Sequence, residues 1–278
     1  MELWRRAANP WNQEVLIGIS FDLMWAALIA GVVFVTGHAL WVRTLATANG
    51  HGDDAPAPPG LPTRILRHTF SARAFHWLMA IAMFALLVTA FFPWAGIQFP
   101  WVTIHWLAGV LLILTVVYHI IHSTFWQDFW SMWVGRDDVE TAKREVKRFF
   151  GKEQPEGLKA AKYPLDHKMY HHVIVVVTFA AVATGVLMMF RVDTWFWARN
   201  PYILSDAMWG VVYVVHGLSG VALISLVIAH IYFAVRPDKW WITMSMFNGF
   251  VNRKDYLEHH DPERWAGDGP QGQLPEQT

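Results

Sequence analysis

Two histidines, His216 and His230, sit 14 residues apart inside the run YVVHGLSGVALISLVIAHIYFAVR, residues 213–236. On a helix that is about 21 Å of rise and about four turns, so both rings leave nearly the same face. The run is apolar and long enough to cross a bilayer. Two imidazoles on one face at two membrane depths can each bind one of two stacked metal cofactors. Other helices must then supply the second ligand of each. The candidates are His76, His105 and His119, with His38 nearer the N-terminus.

Composition bounds the chemistry. The chain has 278 residues, is 54% hydrophobic, and gathers its apolar residues into long runs, as a polytopic membrane protein does. Basic and acidic residues balance at 22 each, so net charge points to no nucleic-acid partner. Many of the 17 Trp lie near the ends of the runs, where an aromatic belt sits. Cysteine is absent, which excludes disulfides, Cys-held iron–sulfur clusters and covalent haem attachment through C-x-x-C-H. A redox cofactor must therefore be held by His, Met or non-covalent contacts. No stretch reads as a cleavable signal peptide, because the first apolar run is too long for one.

Five spans are expected: Val15–Leu45, Ala72–Phe92, Val102–Trp126, Val173–Phe190 and Ala207–Val235. A Gly/Pro/Asp linker, Asn49–Pro62, follows the first. Between the third and fourth, Val139, Ala142, Val146 and Phe149 recur at helical spacing among Lys143, Arg144, Lys147 and Arg148. That pattern fits a basic amphipathic helix on the lipid surface, and equally a solvated helix packed on a partner. The tail beyond Asn252 is expected to be mostly extended or disordered. Counting Arg43 and Arg73 at the bordering span ends, the segments after the first, third and fifth spans carry 4, 9 and 5 Lys+Arg, against 2, 0 and 2 for the others. The positive-inside rule then puts the N-terminus outside and the C-terminus in the cytoplasm.

That orientation sorts the histidines by depth. His105 and His216 match on the outer side, His76 and His230 on the inner side. Two bis-His haems, one near each face, would form an electron wire across the bilayer. Gly109 and Gly220 each follow a ligand by four residues and leave its face bare, where a porphyrin must approach the backbone. Close helix packing through small residues would use the same glycines. Arg73, three residues before His76, can reach a haem propionate or simply snorkel. Spacing alone leaves a rival open. His105 and His119 are also 14 apart, so His119 can replace His76 as the partner of His230.

From about Thr63 to Trp265 the chain resembles the cytochrome b (gamma) subunits of membrane-bound formate dehydrogenases and related hydrogenase and thiosulfate-reductase anchors. The likeness is carried by R-x-F-H-W at Arg73–Trp77, T-A-F-F-P ending that span, I-H-W-L-A-G at Ile104–Gly109, H-G-L-S-G at His216–Gly220 and A-H-I-Y at Ala229–Tyr232. The resemblance implies four haem ligands, His76, His105, His216 and His230, paired first with last and the middle two together. It favours His76 over His119. It implies two b-type haems and menaquinone or ubiquinone as exchangeable substrate. It also implies a periplasmic iron–sulfur subunit and a molybdenum or tungsten catalytic subunit as partners. A higher-order oligomer of the complex would be compatible.

Two departures stand out. Where the family has roughly K-Y-N-x-G-Q-K at its quinone site, this chain has K-Y-P-L-D-H-K, residues 162–168. Asp166, His167 and Lys168 are the quinone candidates, since a histidine titrates near neutrality and can relay a proton. Asp166 would also serve as a helix cap. The first span is extra, and His38 within it reads as a packed, hydrogen-bonded side chain. The expectation is therefore an all-α membrane protein, a five-span bundle in a bacterial plasma membrane. An extra span and linker occupy residues 1–62, a di-haem core 63–252, and a polar tail 253–278. Such a subunit carries electrons and has no substrate chemistry beyond quinone redox. A hydrogenase or sulfur-compound anchor, or one passing quinol electrons outward, would share these features. The competing class is a haem-free transporter with a histidine relay, which leaves the 14-residue spacing unexplained. A purely structural anchor leaves the buried histidines unexplained.

Overall fold

The computed structural model describes residues 2–46, 61–127, 129–151 and 159–266. In order these form β1 (Trp4–Ala8), β2 (Glu14–Ile19), α1 (Asp22–Ala46), β3 (Arg64–Leu66), α2 (Phe70–Phe91), α3 (Trp101–Trp126) and α4 (Arg136–Phe149). There follow α5 (Leu165–Met189), α6 (Asp206–Val235), α7 (Trp240–Asn248), β4 (Phe250–Asn252), α8 (Arg253–His259) and α9 (Pro262–Ala266). Among the described residues five helices, α1, α2, α3, α5 and α6, are long and apolar enough to span a membrane. Most of the linker and the residues beyond 266 lie outside the described residues.

The chain forms two compact units. The first comprises Met1–Gly50, Leu78–Thr115 and Ile174–Phe233. Its N-terminal part corrects the first span, because residues 14–19 form a strand and the helix starts at Asp22. Val15, Ile17 and Ile19 are β-branched and alternate with other residues, a pattern that suits a strand as well as a span. β1 and β2 pair antiparallel from Trp4↔Ile19 to Ala8↔Glu14. Their turn is closed by the Asn9 carboxamide oxygen, which accepts from the amides of Trp11 (3.1 Å) and Gln13 (2.9 Å). The hairpin rests on α6. A Cβ on Gly210 would come within 2.7 Å of Leu16, and one on Gly217 within 2.8 Å of Ile19. The Asn9 amide also donates to the Asp206 carboxylate at 3.0 Å. α1 packs on α6 in the same way, with a Cβ on Gly31 placed 2.9 Å from Ile228. His38 Nδ1 meets the Tyr232 hydroxyl at 2.9 Å, with Phe34, Trp41 and Phe233 around the ring. His38 is thus the packed, hydrogen-bonded side chain expected.

The second unit comprises His51–Trp77, Val116–Val173 and Ala234–Thr278. Here the described part of the tail is corrected, since residues 253–259 and 262–266 are helical and pack on the core below rather than lying extended. β3 pairs antiparallel with β4, Arg64 opposite Asn252 and Leu66 opposite Phe250. Gly249 ends α7 at φ 89°, and a Cβ there would lie 2.8 Å from the His68 carbonyl. Val251, Tyr256 and Trp265 form a core with Leu61, Ile65, Trp241 and Leu257. Charged residues hide this amphipathic pattern in the sequence.

At the centre of that core lies Arg67, 1% exposed. It donates to His260 Nε2 and to the Lys162 carbonyl, each at 3.0 Å. Its guanidinium lies 5.3–5.9 Å from the rings of Trp265, Trp241 and Tyr163. Burial lowers its pKa to about 10. Since Arg67 donates to Nε2, the His260 proton sits on Nδ1, which donates to the Ala161 carbonyl at 2.8 Å. Burial, then the Arg67 charge, pushes the His260 pKa down to about 3. The sign follows: below about 6.5 the unfolded chain takes up a proton that the folded chain refuses. Stability is full above that pH and falls as pH drops toward the folded value. Backbone amides of residues 256–265 are therefore expected to lose hydrogen-exchange protection between pH 7 and pH 5, after correction for intrinsic rates. Constant protection over that range would contradict the coupling.

Candidate haem site

His105 is on the second turn of α3, and His216 is eleven residues into the buried face of α6. The short connection after α2, closed by Phe92–Gly96, folds α3 back beside α2. The two rings face each other with centroids 6.2 Å apart and planes 71° apart. Metal–imidazole bonds are about 2 Å long, so one metal between two imidazoles sets the ring centres about 6 Å apart.

The hydrogen bonds assign the tautomers. The Thr89 hydroxyl of α2 gives its proton to the Ala85 carbonyl at 2.7 Å. A hydroxyl has one proton, so toward His105 Nδ1, at 2.8 Å, it accepts. The Thr184 hydroxyl of α5 likewise donates to the Ala180 carbonyl at 2.6 Å and accepts from His216 Nδ1 at 3.0 Å. The Ala181 carbonyl, which can only accept, lies 3.1 Å from the same Nδ1. Both imidazoles thus carry their proton on Nδ1 and keep the Nε2 lone pair for a metal.

The backbone one turn past each histidine is bare as well. A Cβ on Gly220 would meet nothing within 4 Å, and one on Gly109 only a Leu86 methyl at 4.0 Å. These glycines are therefore not sites of close helix contact. A third glycine, Gly185, has no spacing in the sequence that ties it to a histidine. A Cβ there would lie 3.3 Å from His216 Cε1, so the bare backbone of α5 seats that imidazole. Donor set, tautomers and bare backbone together fit a haem held by His105 and His216.

The remaining residues fall as follows. His76, on the second turn of α2, belongs to the second unit and His230 to the first. Arg73 donates to the Phe247 carbonyl, and its Nε is buried without an acceptor. A buried donor of this kind is what a propionate would satisfy. Trp77 donates to the Met246 carbonyl at 3.1 Å, tying α2 to α7. α5 begins eight residues before the expected Val173, because Lys168, Tyr170, His171 and His172 mask its first two turns. Asp166 accepts from the His167 amide at 3.0 Å, as a residue at a helix start does. Lys168 is 7% exposed and bonds Asp138 at 2.8 Å and the Trp133 carbonyl at 3.2 Å. His119 stacks on Phe75 at 4.3 Å and faces His171 at 6.4 Å between ring centres. The His171 partner could not be read from spacing, since it lies in the masked start of α5.

Membrane-length helices, facing histidines and no cysteine are the build of a membrane-bound cytochrome b. The chain belongs to the prokaryotic cytochrome b561 family, which matches it over residues 67–249. It is also similar to the formate dehydrogenase cytochrome b556 subunit of Haemophilus influenzae, at 25% identity over 221 residues, 73% of this chain and 82% of that protein. It is thus a multi-pass bacterial membrane protein of electron transport that uses haem b. The family match begins after α1, so the first span is an addition to the family's core.

Proposed function

We propose that the chain is the di-haem cytochrome b anchor of a multisubunit respiratory oxidoreductase. Residues 63–252 form its electron-carrying core. His105 and His216 ligate the outer haem, and His76 and His230 the inner haem, with Arg73 at an inner propionate. The observation that carries this reading is the facing pair His105 and His216, each with Nδ1 engaged and Nε2 left for iron. Bound haem supplies a one-electron redox centre, and the protein sets its ligation and burial. The named similarity to a formate dehydrogenase subunit supports an outer iron–sulfur and molybdenum or tungsten partner. The inner side exchanges electrons with menaquinone or ubiquinone. Asp166 and His167, at the start of α5, are the groups proposed to bind a quinone carbonyl and pass a proton. Lys168, already paired with Asp138, serves to fix that helix start. Loop charges support a periplasmic N-terminus and a cytoplasmic C-terminus.

A pyridine haemochrome assay on the purified complex, corrected for partner subunits, tests the reading. Two b haems per chain are expected. None would overturn it in favour of a histidine relay. Three would bring His38 or His119 in as ligands and redraw the inner pair.

A further inference from the structure

The outer site holds two threonines whose placement the haem reading does not use. Thr89 is 2% exposed and Thr184 9% exposed. Both bond the carbonyl four residues back, as any threonine in an apolar helix does. That bond alone does not aim the oxygen lone pairs, yet both are aimed at a histidine Nδ1. Neither threonine is on its histidine's own helix: Thr89 is on α2 for His105 on α3, and Thr184 on α5 for His216 on α6. The same device thus occurs twice, once on each side of the iron position.

We propose that Thr89 and Thr184 are positioning residues that hold the two outer ligands in the Nδ1-protonated tautomer and set the basicity of their Nε2 atoms. This rests on the bis-His reading of the outer site and goes beyond it. An acceptor at Nδ1–H orients the ring and makes the opposite nitrogen a stronger donor to ferric iron. Removing the acceptor therefore raises the reduction potential and loosens the haem. The two threonines are equivalent in this respect: His105 keeps the Leu86 carbonyl, and His216 the Ala181 carbonyl, as a second acceptor, so each Thr→Val change weakens its ligand's anchoring without abolishing it.

The test uses the assembled complex with Thr89→Val, Thr89→Ser and Thr184→Val. Three quantities are read: the potential of each haem by optical titration, the ferric low-spin signals by electron paramagnetic resonance, and the rate of haem transfer to an apoglobin. Thr89→Val is expected to raise one of the two potentials, shift one set of ferric signals, and speed transfer of one haem about tenfold. Thr184→Val should act in the same direction with a comparable effect, and Thr89→Ser should restore wild-type values. Wild-type potential, signals and transfer rate in both valine variants would overturn the proposal, as would a serine variant that behaves like valine. Should Thr89→Val not assemble, Thr184→Val and Thr89→Ser carry the test. Retention of both haems by His216→Ala would instead sink the bis-His reading itself, whatever the threonines do.

Discussion

Replacing His216 by alanine is expected to halve the haem b content, from two per chain to one, without dissolving the bundle. His216 is the residue on which the outer site converges. It faces His105 at 6.2 Å between ring centres, is seated by the bare backbone of Gly185, and is held by Thr184 and the Ala181 carbonyl. Loss of the imidazole leaves a cavity and removes the donor that the Thr184 oxygen accepts from, a cost of roughly 1–3 kcal/mol. In the proposed ligation it also removes one of two iron bonds. The remaining haem should still be reduced by a quinol analogue, because the proposed inner ligands His76 and His230 are intact. Reduction through the proposed outer partner should be lost. His105→Ala should give the same pair of results. Haem content that stays at two in either variant would sink the assignment.

A comparable loss, of stability rather than cofactor, is expected for Asp138→Asn. Asp138 and Lys168 meet at 2.8 Å with side chains 13% and 9% exposed. An ammonium so little exposed is held there by its partner. Taking the partner's charge away strands it, at roughly 3–5 kcal/mol. The double variant Asp138→Leu with Lys168→Met removes both charges and should recover most of that loss, since apolar replacements of buried pairs are often neutral. Thermal unfolding of the detergent-solubilised protein reads both changes. The same double variant decides what Lys168 does. If it only fixes the start of α5, quinone reduction survives in the double variant. If quinone turnover falls while stability is recovered, Lys168 touches the substrate. An Asp138→Asn protein as stable as the wild type would show that the pair contributes little.

The large features were legible in the sequence because each rests on a long-range pattern. Apolar runs of 18 residues or more pointed to all five spans, and the 14-residue histidine spacing pointed to the face of α6 that carries the proposed ligands. What escaped rests on single atoms or on mixed composition. Thr89 and Thr184 look like neutral residues in apolar helices until the direction of one lone pair is known. Glu14–Ile19 is apolar and continuous with α1, so only the Asn9 turn and the contact with Gly210 separate strand from span. The start of α5 is polar because Lys168 finds Asp138 on another element. In the tail, Tyr256, His260 and Trp265 are buried by contacts with residues 61–67 and 160–162 that no local window contains. Arg67 reads as a surface charge for the same reason.

The hairpin of β1 and β2 raises a question of timing. It leaves the ribosome well before the beginning of α6, the surface it rests on. Asn9 and Asp206, which bond each other, are 197 residues apart in sequence. At about 5–20 residues per second, that is roughly 10–40 s during which the strands have nothing to lie on. A two-stranded hairpin is at best marginally stable alone. Its docking must therefore follow insertion of α6, so an ordered hairpin is a mark of a chain in which that span is in place.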